Sequence, residues 1–371
     1  MRKLIQENTY IISTEKEEDT MTKIEKLVEL MKKQDVDYCV ITDPLAISYY
    51  TGNKFSPGER FLALTVDKFG YERFYLNKLF QYPNEEIETY WYTDAYSPID
   101  ELAKNLSGDV ALDKTMAAKF VLELLQKNDG CNYIVGTIID EVKAIKDENE
   151  VAKMRYASKM NDLVMEEVAK LIEVGKSEKQ LAAEIKEKFK TVANASDSFS
   201  PIVAYHDHAA DPHAEPTDRV LKEGEAIVVD MGCVLNGYCS DMTRTFFVNT
   251  NTEKEIYDVV LKANETAEAI IKPGIPFKEI DLAARKVIED AGYGEYFIHR
   301  LGHGIGMEVH EPFDVSSTDE VIVKEGMCFS IEPGIYIPGR IGIRIEDLVV
   351  VTKDGVEVLN HYPKDQEVVK R

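Results

Sequence analysis

The sequence contains no apolar run of about 18 residues, so it predicts no transmembrane helix. Basic residues are also few: 44 Lys and Arg stand against 67 Asp and Glu, and the formal net charge is −23 at pH 7. Because a polyanion would repel such a chain, neither nucleic acid nor an anionic membrane surface is an expected partner. Cysteine is scarce, with five scattered residues and no CxxC pair, which indicates reduced thiols and a cytoplasmic location.

Residues 1–20 lack the apolar core and the cleavage site of a secretory signal. This segment is polar and acidic, so we expect a flexible leader, unless Met21 is the natural start of the chain. Hydrophobic residues make up 44% of the sequence, which is typical of a globular protein with a large core. A chain of 371 residues predicts roughly two to three domains.

Residues 21–145 alternate between helical and strand patterns, as in an α/β domain, and carry no catalytic cluster. The predicted elements are a helix over 22–33, a strand over Tyr38–Thr42, a hairpin of Phe61–Val66 with Glu72–Leu76, and a helix over Met116–Gln126. The charged segment Glu141–Glu150 is the expected boundary, with the second domain running over 146–371.

Residues 146–371 carry long amphipathic helices between strands joined mostly by short turns, which predicts an α+β domain with helices on one face of an antiparallel sheet. The predicted helices span 151–174, 178–192, 253–271 and 277–291, and the predicted strands span 224–231, 238–248, 327–331 and 341–352. Gly175 is the expected C-cap of the first helix.

The segment AIVVDMGCVLNGYCSDMTRTFFV predicts a hairpin that carries two aspartates. Asn236-Gly237 between two apolar runs is a strong signal for a two-residue turn. That turn would place Asp230 opposite Thr243, with Asp241 diagonal to Asp230 on the same face. Two such carboxylates repel each other unless a cation lies between them. The alternative is a pair of solvent-facing aspartates on an edge hairpin.

Two further carboxylates lie at or within apolar strands. Glu346 occurs in IGIRIEDLVVV on the same predicted face as Arg344, and Glu332 follows the strand CFSI just before Pro333. A surface ion pair of Glu346 with Arg344 is the alternative interpretation. Four acids that end or interrupt the strands of one domain favour a common site.

Six of the seven histidines fall into two short segments, PIVAYHDHAADPHAEP and FIHRLGHGIGMEVHEP. These six are His206, His208, His213, His299, His303 and His310. Glycines at 302, 304 and 306 around His303 indicate that the backbone approaches another group closely. His361 is expected to be an ordinary surface residue.

These patterns give a candidate metal set of four carboxylates and one imidazole: Asp230, Asp241, His303, Glu332 and Glu346. Four negative charges balance two divalent cations, which carboxylates bridge at about 3.5–4 Å. Oxygen-rich ligation with one imidazole suits Mn²⁺, with Zn²⁺, Co²⁺ or Fe²⁺ as alternatives. Because such a pair of ions lowers the pKa of a bridging water and polarises a carbonyl, hydrolysis is the predicted reaction class.

The motifs VVDMG…GYCSDMTRTF, PHAEP, HRLGHGIGMEVHEP, SIEPGIY and IRIED stand in the order found in the pita-bread metallopeptidases. The sequence resembles this family, which includes methionine aminopeptidase, aminopeptidase P, prolidase and creatinase. The resemblance covers residues 150–365 and extends, notably in ISYYTG, to 21–145. It implies an α+β pita-bread catalytic domain, with an antiparallel sheet covered by helices, after a smaller α/β creatinase-like N-terminal domain.

The resemblance also implies roles for the five candidate ligands. All five would hold the two metal ions, with Asp241 and Glu346 bridging them, and Glu332 would in addition act as general base. Arg344 would orient the bridging ligands and contribute to the substrate site. Thr243, on the same strand face, is a plausible partner of these ligands.

The same resemblance implies a set of substrate-binding residues and an assembly. His213 in PHAEP and His310 in EVHEP match the substrate and transition-state histidines of the family. His299 matches a position that lines the proline pocket. Relatives commonly pair through the N-terminal domain, so a homodimer is expected.

Within the family, the resemblance favours a prolidase, which cleaves Xaa-Pro dipeptides through a metal-bridging hydroxide. Creatinase lacks this ligand set, and methionine aminopeptidase lacks a large N-terminal domain. The alternative is an aminopeptidase P, which releases the first residue of longer Xaa-Pro-Yaa peptides. A non-catalytic binding protein on the same scaffold is disfavoured, because such proteins usually lose ligands.

A dipeptidase must bind a free carboxylate one residue beyond the scissile bond, and a guanidinium does this well. Arg300 is the favoured candidate, with a surface residue on a loop as the alternative interpretation. Arg60 from the N-terminal domain of a neighbouring subunit is a weaker candidate. GERF at 58–61 resembles a loop of bacterial prolidases. One departure from the family pattern is YHDHAAD before Pro212, which affects the expected shape of the pocket.

Overall fold

The structure is a computed structural model that describes residues 21–83, 86–365 and 368–370. The predicted leader, 1–20, lies outside the described residues. The chain divides between Val142 and Lys143 into two compact units. The predicted domain boundary at 145 and 146 stays a prediction. Within the described ranges, no helix has both the length and the apolar character needed to cross a bilayer.

The N-terminal unit is an α/β structure with one mixed sheet. Its strands are β1 (Tyr38–Ile41), β2 (Ala63–Asp67), β3 (Glu72–Asn77), β4 (Glu88–Tyr92), β5 (Asp109–Leu112) and β6 (Asn132–Val135). Its helices are α1 (Lys23–Gln34), α2 (Pro44–Thr51), α3 (Ile99–Asn105), α4 (Ala118–Lys127) and α5 (Thr137–Ala144), the last of which crosses the division. The sheet order is β4-β3-β2-β1-β5-β6, and β2 and β3 form the antiparallel hairpin that the sequence predicts.

The C-terminal unit carries four long helices and fourteen strands among its described residues. The helices are α6 (Glu148–Leu171), α7 (Glu178–Lys188), α8 (Lys254–Ile270) and α9 (Phe277–Asp290). The first strands are β7 (Ser196–Asp197), β8 (Ile202–Tyr205), β9 (Ala226–Met231), β10 (Cys233–Leu235), β11 (Tyr238–Cys239), β12 (Met242–Val248) and β13 (Gly302–Gly304). The others are β14 (Glu311–Val315), β15 (Cys328–Ile331), β16 (Gly334–Ile337), β17 (Ile341–Arg344), β18 (Asp347–Val351), β19 (Val356–Val358) and β20 (Val368–Val369).

These strands form largely antiparallel sheets covered by helices, so the predicted α+β architecture is confirmed. The larger sheets have the orders β20-β12-β9-β8 and β14-β13-β15-β18-β19, and β16 pairs with β17. The apolar faces of α6 and α7 pack on β8, β9 and β12. Those of α8 and α9 pack on residues of β15, β17 and β18, including Phe329, Ile343 and Val349. The carboxylate-bearing strands are therefore held by two separate cores.

Two expectations about element ends are wrong. The first is Gly175 as a C-cap: α6 ends at Leu171, because Ile172 is buried with an extended backbone. Gly175 instead lies in the following loop at φ +88°, where its N–H group donates to Leu221 O.

The second is the single strand over 341–352. β17 pairs with β16 and β18 pairs with β15, so the chain changes sheets at Ile345 and Glu346. The N–H group of Ile345 donates to Pro333 O, and that of Glu346 donates to Thr243 O at 3.0 Å. Glu346 is thus delivered to the β9–β12 sheet.

Candidate metal centre

The hairpin formed by β9 to β12 carries Asp230 and Asp241, and its turn determines which residues they face. Asn236 and Gly237 have positive φ angles of 52° and 81°, which a two-residue hairpin turn requires. Leu235 pairs with Tyr238, and Asp230 pairs with Thr243, in the register that the sequence predicts. Asp230 and Asp241 are both buried, so the interpretation as a solvent-facing edge hairpin is excluded.

Glu346 reaches this hairpin because the chain changes sheets at that residue. Thr243 Oγ1 donates to Glu346 Oε2 at 2.8 Å, which fixes one carboxylate oxygen. Thr243 Oγ1 in turn accepts from Arg344 Nε at 3.1 Å. The side chain of Glu346 is buried, so a surface ion pair with Arg344 is also excluded.

His303 and Glu332 are brought together by the neighbouring strands β13 and β15. The N–H group of His303 donates to Ser330 Oγ at 3.1 Å, and Ser330 Oγ donates to Glu332 Oε1 at 3.2 Å. His303 Nε2 then lies 3.5 Å from Glu332 Oε1 and 4.0 Å from Asp241 Oδ2. The hydroxyl of Ser330 therefore links the backbone of His303 to the carboxylate of Glu332 and helps to fix the distance between the two side chains.

The glycines around His303 allow strands to pack, which gives the sequence pattern its physical reason. A Cβ atom on Gly302 would lie 1.9 Å from Ser330 O, and one on Gly304 would lie 2.1 Å from Pro312 O. Both contacts are impossible for a side chain, so only glycine lets β13 fit between its neighbours.

The donor atoms of this cluster fit a divalent cation. Ligand atoms of Asp241, His303 and Glu346 all lie within 4.8 Å of one another. Asp230 Oδ1 and Asp241 Oδ1 are buried and have no hydrogen-bond partner among the described residues. The Nδ1–H group of His303 donates to Gly304 O at 3.1 Å, which leaves the Nε2 lone pair facing the carboxylates.

The electrostatics of the cluster favour a bound cation. Burial, reinforced by the neighbouring carboxylates, raises the pKa of Asp241 and of Glu346 well above the ordinary range. Burial also raises the pKa of Glu332. Burial lowers the pKa of His303, which keeps the imidazole neutral and able to act as a ligand. Positive ions among these groups would relieve the repulsion.

A cavity of about 790 Å³ opens onto the cluster. All ten site residues predicted from the sequence line it: His213, Asp230, Asp241, His299, Arg300, His303, His310, Glu332, Arg344 and Glu346. The remaining lining residues, which sequence reasoning missed, are Phe199, Ile202, Pro212, Ile298 and Val309. These five residues are apolar, so the lining of the cavity combines a cluster of charged side chains with apolar side chains.

Arg344 is buried and engaged with protein groups on all sides. Its Nη2 donates to Asp230 Oδ2 at 2.7 Å, and its Nη1 donates to Tyr336 Oη at 3.0 Å and to Pro212 O at 3.2 Å. With the bond to Thr243, it contacts two segments that carry candidate ligands. The geometry suits an orienting role.

The histidines at the cavity differ in their surroundings. His299 donates from Nδ1 to Arg300 O and accepts at Nε2 from Tyr336 Oη at 2.9 Å, and burial lowers the pKa of its ring. The ring of His310 lies 4.3 Å from that of His303, and partial burial of the ring together with the charge of His303 lowers its pKa to about 4. His213 and His310 are exposed at the cavity.

The two candidate arginines for a substrate carboxylate lie in different units. Arg300 lines the cavity, where it pairs with Asp314 at 2.9 Å and keeps 39% of its side chain exposed. Arg60 lies in the N-terminal unit and pairs with Asp94 at 2.9 Å. Arg300 is thus the one that borders the cavity.

Tyr336 is a site residue that sequence reasoning missed. Its buried hydroxyl bonds both Arg344 and His299. The signal was present: β16 and β17 pair around Pro338-Gly339, and period-two alternation then puts Tyr336 on the face of Arg344. His206, His208 and His361 are not among the residues that line the cavity.

Comparison with known proteins identifies the family. Residues 152–353 match the model of metallopeptidase family M24, and residues 23–145 match the creatinase/prolidase N-terminal domain. An uncharacterized peptidase from Staphylococcus aureus is 38% identical over 93% of this chain and 100% of its own length.

Solved structures give the same result. A dipeptidase from Pyrococcus horikoshii has a TM-score of 0.87 at 35% identity, and a recombinant prolidase from Thermococcus sibiricus has a TM-score of 0.86 at 32% identity. Each alignment covers 94% of this chain and 100% of the chain of the solved structure. The chain therefore belongs to metallopeptidase family M24, which implies divalent metal ions and peptide substrates, and it carries a creatinase/prolidase N-terminal domain.

Proposed function

We propose that this chain is a dinuclear metal hydrolase that cleaves Xaa-Pro dipeptides. The observation that carries the proposal is the convergence of four carboxylates and one imidazole, with unpartnered buried oxygens, on the wall of one cavity. The ions would be held by Asp230, Asp241, His303, Glu332 and Glu346. Four carboxylates match two divalent ions in charge, and Mn²⁺ suits this oxygen-rich set best, ahead of Zn²⁺ and Co²⁺.

The ions would supply polarisation of the scissile carbonyl and a lowered pKa of the attacking water. Glu332 accepts a proton from that water and returns it to the imide nitrogen of proline, which must be protonated to leave. His213 and His310 border the cavity and donate hydrogen bonds to the developing oxyanion. Arg344 and Thr243 keep Asp230 and Glu346 in orientation through the bonds described above.

Two features favour dipeptides over longer peptides. Arg300 is partly exposed at the cavity and can exchange Asp314 for a substrate carboxylate, because a rim ion pair holds its partner weakly. Of the two solved structures compared above, one is described as a dipeptidase and the other as a prolidase. His299 would border the proline ring. Homodimeric assembly and a cytoplasmic location belong to the same proposal.

The test is a substrate panel on protein reconstituted with Mn²⁺. We expect Gly-Pro and Ala-Pro to be cleaved with higher kcat/KM than Gly-Pro-Yaa tripeptides. Preferential cleavage of tripeptides would establish an aminopeptidase P instead. Absence of both a bindable divalent ion and peptidase activity would indicate a binding protein, and an active enzyme that binds only one ion would refute the dinuclear centre.

A further inference from the structure

Glu178, the first residue of α7, is a fully buried carboxylate outside the metal centre. It accepts four hydrogen bonds: from Tyr205 N–H at 2.9 Å, from His208 Nδ1 at 2.8 Å, and from Thr217 N–H and Oγ1 at 2.8 and 2.6 Å. Because a carboxylate only accepts, His208 must carry its proton on Nδ1. The N-terminus of α7 further favours the negative charge there.

These four donors belong to one segment, residues 205–217. The segment starts at the last residue of β8 and continues past the residues that line the cavity. Tyr205 lies at its start, His208 near its middle and Thr217 at its end. Pro212 and His213, which line the cavity, lie between the attached points. A single carboxylate thus closes the loop that presents His213.

Other contacts also hold this segment. Its start pairs with β9 and donates from His206 N–H to Ala226 O, and at its end Thr217 O accepts from Lys179 N–H. Two more contacts lie on its inner side. Arg344 Nη1 donates to Pro212 O at 3.2 Å. Gly342 makes room for the backbone at Ala209, since a Cβ atom there would lie 1.7 Å from Ala209 O. His213 N–H donates to Asp211 Oδ1 at 3.0 Å, a local turn that does not reach the rest of the unit. Glu178 is thus a single side chain that joins the start, the middle and the end of the segment.

We propose that Glu178 is a positioning residue that holds segment 205–217, and with it His213, in the geometry required at the cavity. His208, in the stretch YHDHAAD that departs from the family pattern, provides the contact in the middle of the segment. The proposal rests on the proposed function for the role of His213. A shift of about 1 Å in such a group can cost about 100-fold in rate.

The first experiment needs no substrate. Glu178→Gln keeps the shape but replaces one accepting oxygen by a donor, so amide hydrogen exchange in 206–217 should become about tenfold faster or more. Glu184→Gln is the matched control, because Glu184 lies on the same helix, is 42% exposed and pairs with Lys176. Unchanged exchange in Glu178→Gln would overturn the proposal.

The second experiment separates positioning from general stability. In Glu178→Gln, kcat/KM for Gly-Pro should fall about tenfold or more with metal content unchanged. If Glu178 acts through His213, adding His213→Ala should cost much less in Glu178→Gln than in the wild type. Fully additive losses would show a merely structural role and contradict the proposal.

A milder pair of variants covers the case in which Glu178→Gln does not fold. His208→Ala removes the central contact, while His208→Asn restores an N–H donor on the same branch of the side chain. We expect faster exchange and lower kcat/KM in the first and recovery of both in the second. Equal exchange rates and equal kcat/KM in the two variants would refute a role for the contact between His208 and Glu178. If the wild type cleaves no Xaa-Pro peptide, the proposed function fails, while the exchange measurements still decide the role of Glu178.

Discussion

The buried carboxylates at the cavity set the chemistry at the scale of single residues. Asp241 and Glu346 have raised pKa values because burial and neighbouring acids disfavour their charged forms. Without a cation, some of these groups must take up protons or repel one another. Metal affinity and the stability of the metal-free protein should therefore respond in opposite directions to the loss of one charge.

Asp241→Asn tests this relation. The variant should bind metal at least about 100-fold more weakly and lose activity to a similar extent, because a ligand charge is gone. Its metal-free form should melt at a higher temperature than the metal-free wild type. Metal analysis and thermal denaturation measure both effects, with Asp258→Asn, an exposed aspartate of α8, as control. Wild-type metal affinity in Asp241→Asn would contradict its role as a ligand.

Arg300→Gln tests how the substrate is chosen. Loss of a charge-assisted pair should lower kcat/KM for Gly-Pro by about 10- to 100-fold. It should leave cleavage of Gly-Pro amide, which has no free carboxylate, nearly unchanged. Arg340→Gln is the control, since Arg340 is exposed and pairs with Glu253. Equal losses on both substrates would exclude recognition of the carboxylate by Arg300.

Sequence alone placed the residues whose geometry follows from local rules. The Asn236-Gly237 turn fixes the register of β9 with β12, so the pairing of Asp230 with Thr243 could be predicted. The bond of Tyr336 to His299 and the contacts of Glu178 could not be predicted, because they join segments whose mutual packing no local pattern specifies.

The crossing at Ile345 and Glu346 shows what local periodicity misses at the scale of elements. In IGIRIEDLVVV the apolar residues resume directly after the two acids Glu346 and Asp347, because β17 and β18 are both buried strands. Nothing in that pattern says that they belong to different sheets. The long helices, by contrast, begin and end within a few residues of their predicted limits. The predicted helix over 178–192 is divided into α7 and a π-helix over Phe189–Ala193.

Next to Glu346 in sequence, Asp347 belongs to a buried network of charged side chains to which α8 contributes Glu268. Glu268 and Asp347 share Lys364, at 2.9 and 2.8 Å, and Asp347 also pairs with Arg244 at 2.7 Å. Arg244 Nη1 donates to Glu346 O at 2.6 Å, so the network supports the backbone of a candidate ligand. Burial and the charge of Asp347 raise the pKa of Glu268 to about 7.

Glu268→Gln should change how stability depends on pH. A carboxyl whose pKa is raised in the folded state stabilises at low pH, and this contribution is lost as pH rises through about 7. Between pH 5 and 8 the wild type should lose on the order of 3 kcal/mol relative to the variant. Urea titrations measure the difference, with Glu265→Gln, an exposed residue of the same helix, as control. A constant difference across this range would refute the assignment.

At the scale of the whole molecule, the two-domain architecture was predictable because each unit has its own pattern. The N-terminal unit alternates helix and strand, and the C-terminal unit carries the hairpins and long helices. Two family models match residues 23–145 and 152–353 separately, which agrees with this difference in pattern between the two parts of the chain. All predicted metal ligands lie in the C-terminal unit.

Removal of metal should therefore act on stability as well as on activity. A chelator should abolish peptidase activity and lower the melting temperature, and Mn²⁺ should restore both. At a free metal concentration of 100 times Kd, binding contributes about 2.7 kcal/mol. Circular dichroism melts with and without Mn²⁺ measure the shift. The same shift in Asp241→Asn would mean that the stabilising ions bind elsewhere.

The crossing of the chain at Glu346 also bears on how the protein matures. Asp230 and Asp241 leave the ribosome long before Glu346 does, and the hairpin alone offers only part of the donor set. Because metal affinity depends on a preformed arrangement of ligands, tight capture of ions must wait until the last strands have been made and docked. With Glu346 as a proposed ligand, we expect metal to be loaded late in biogenesis, and we expect a chain truncated before residue 346 to complete its synthesis without bound metal.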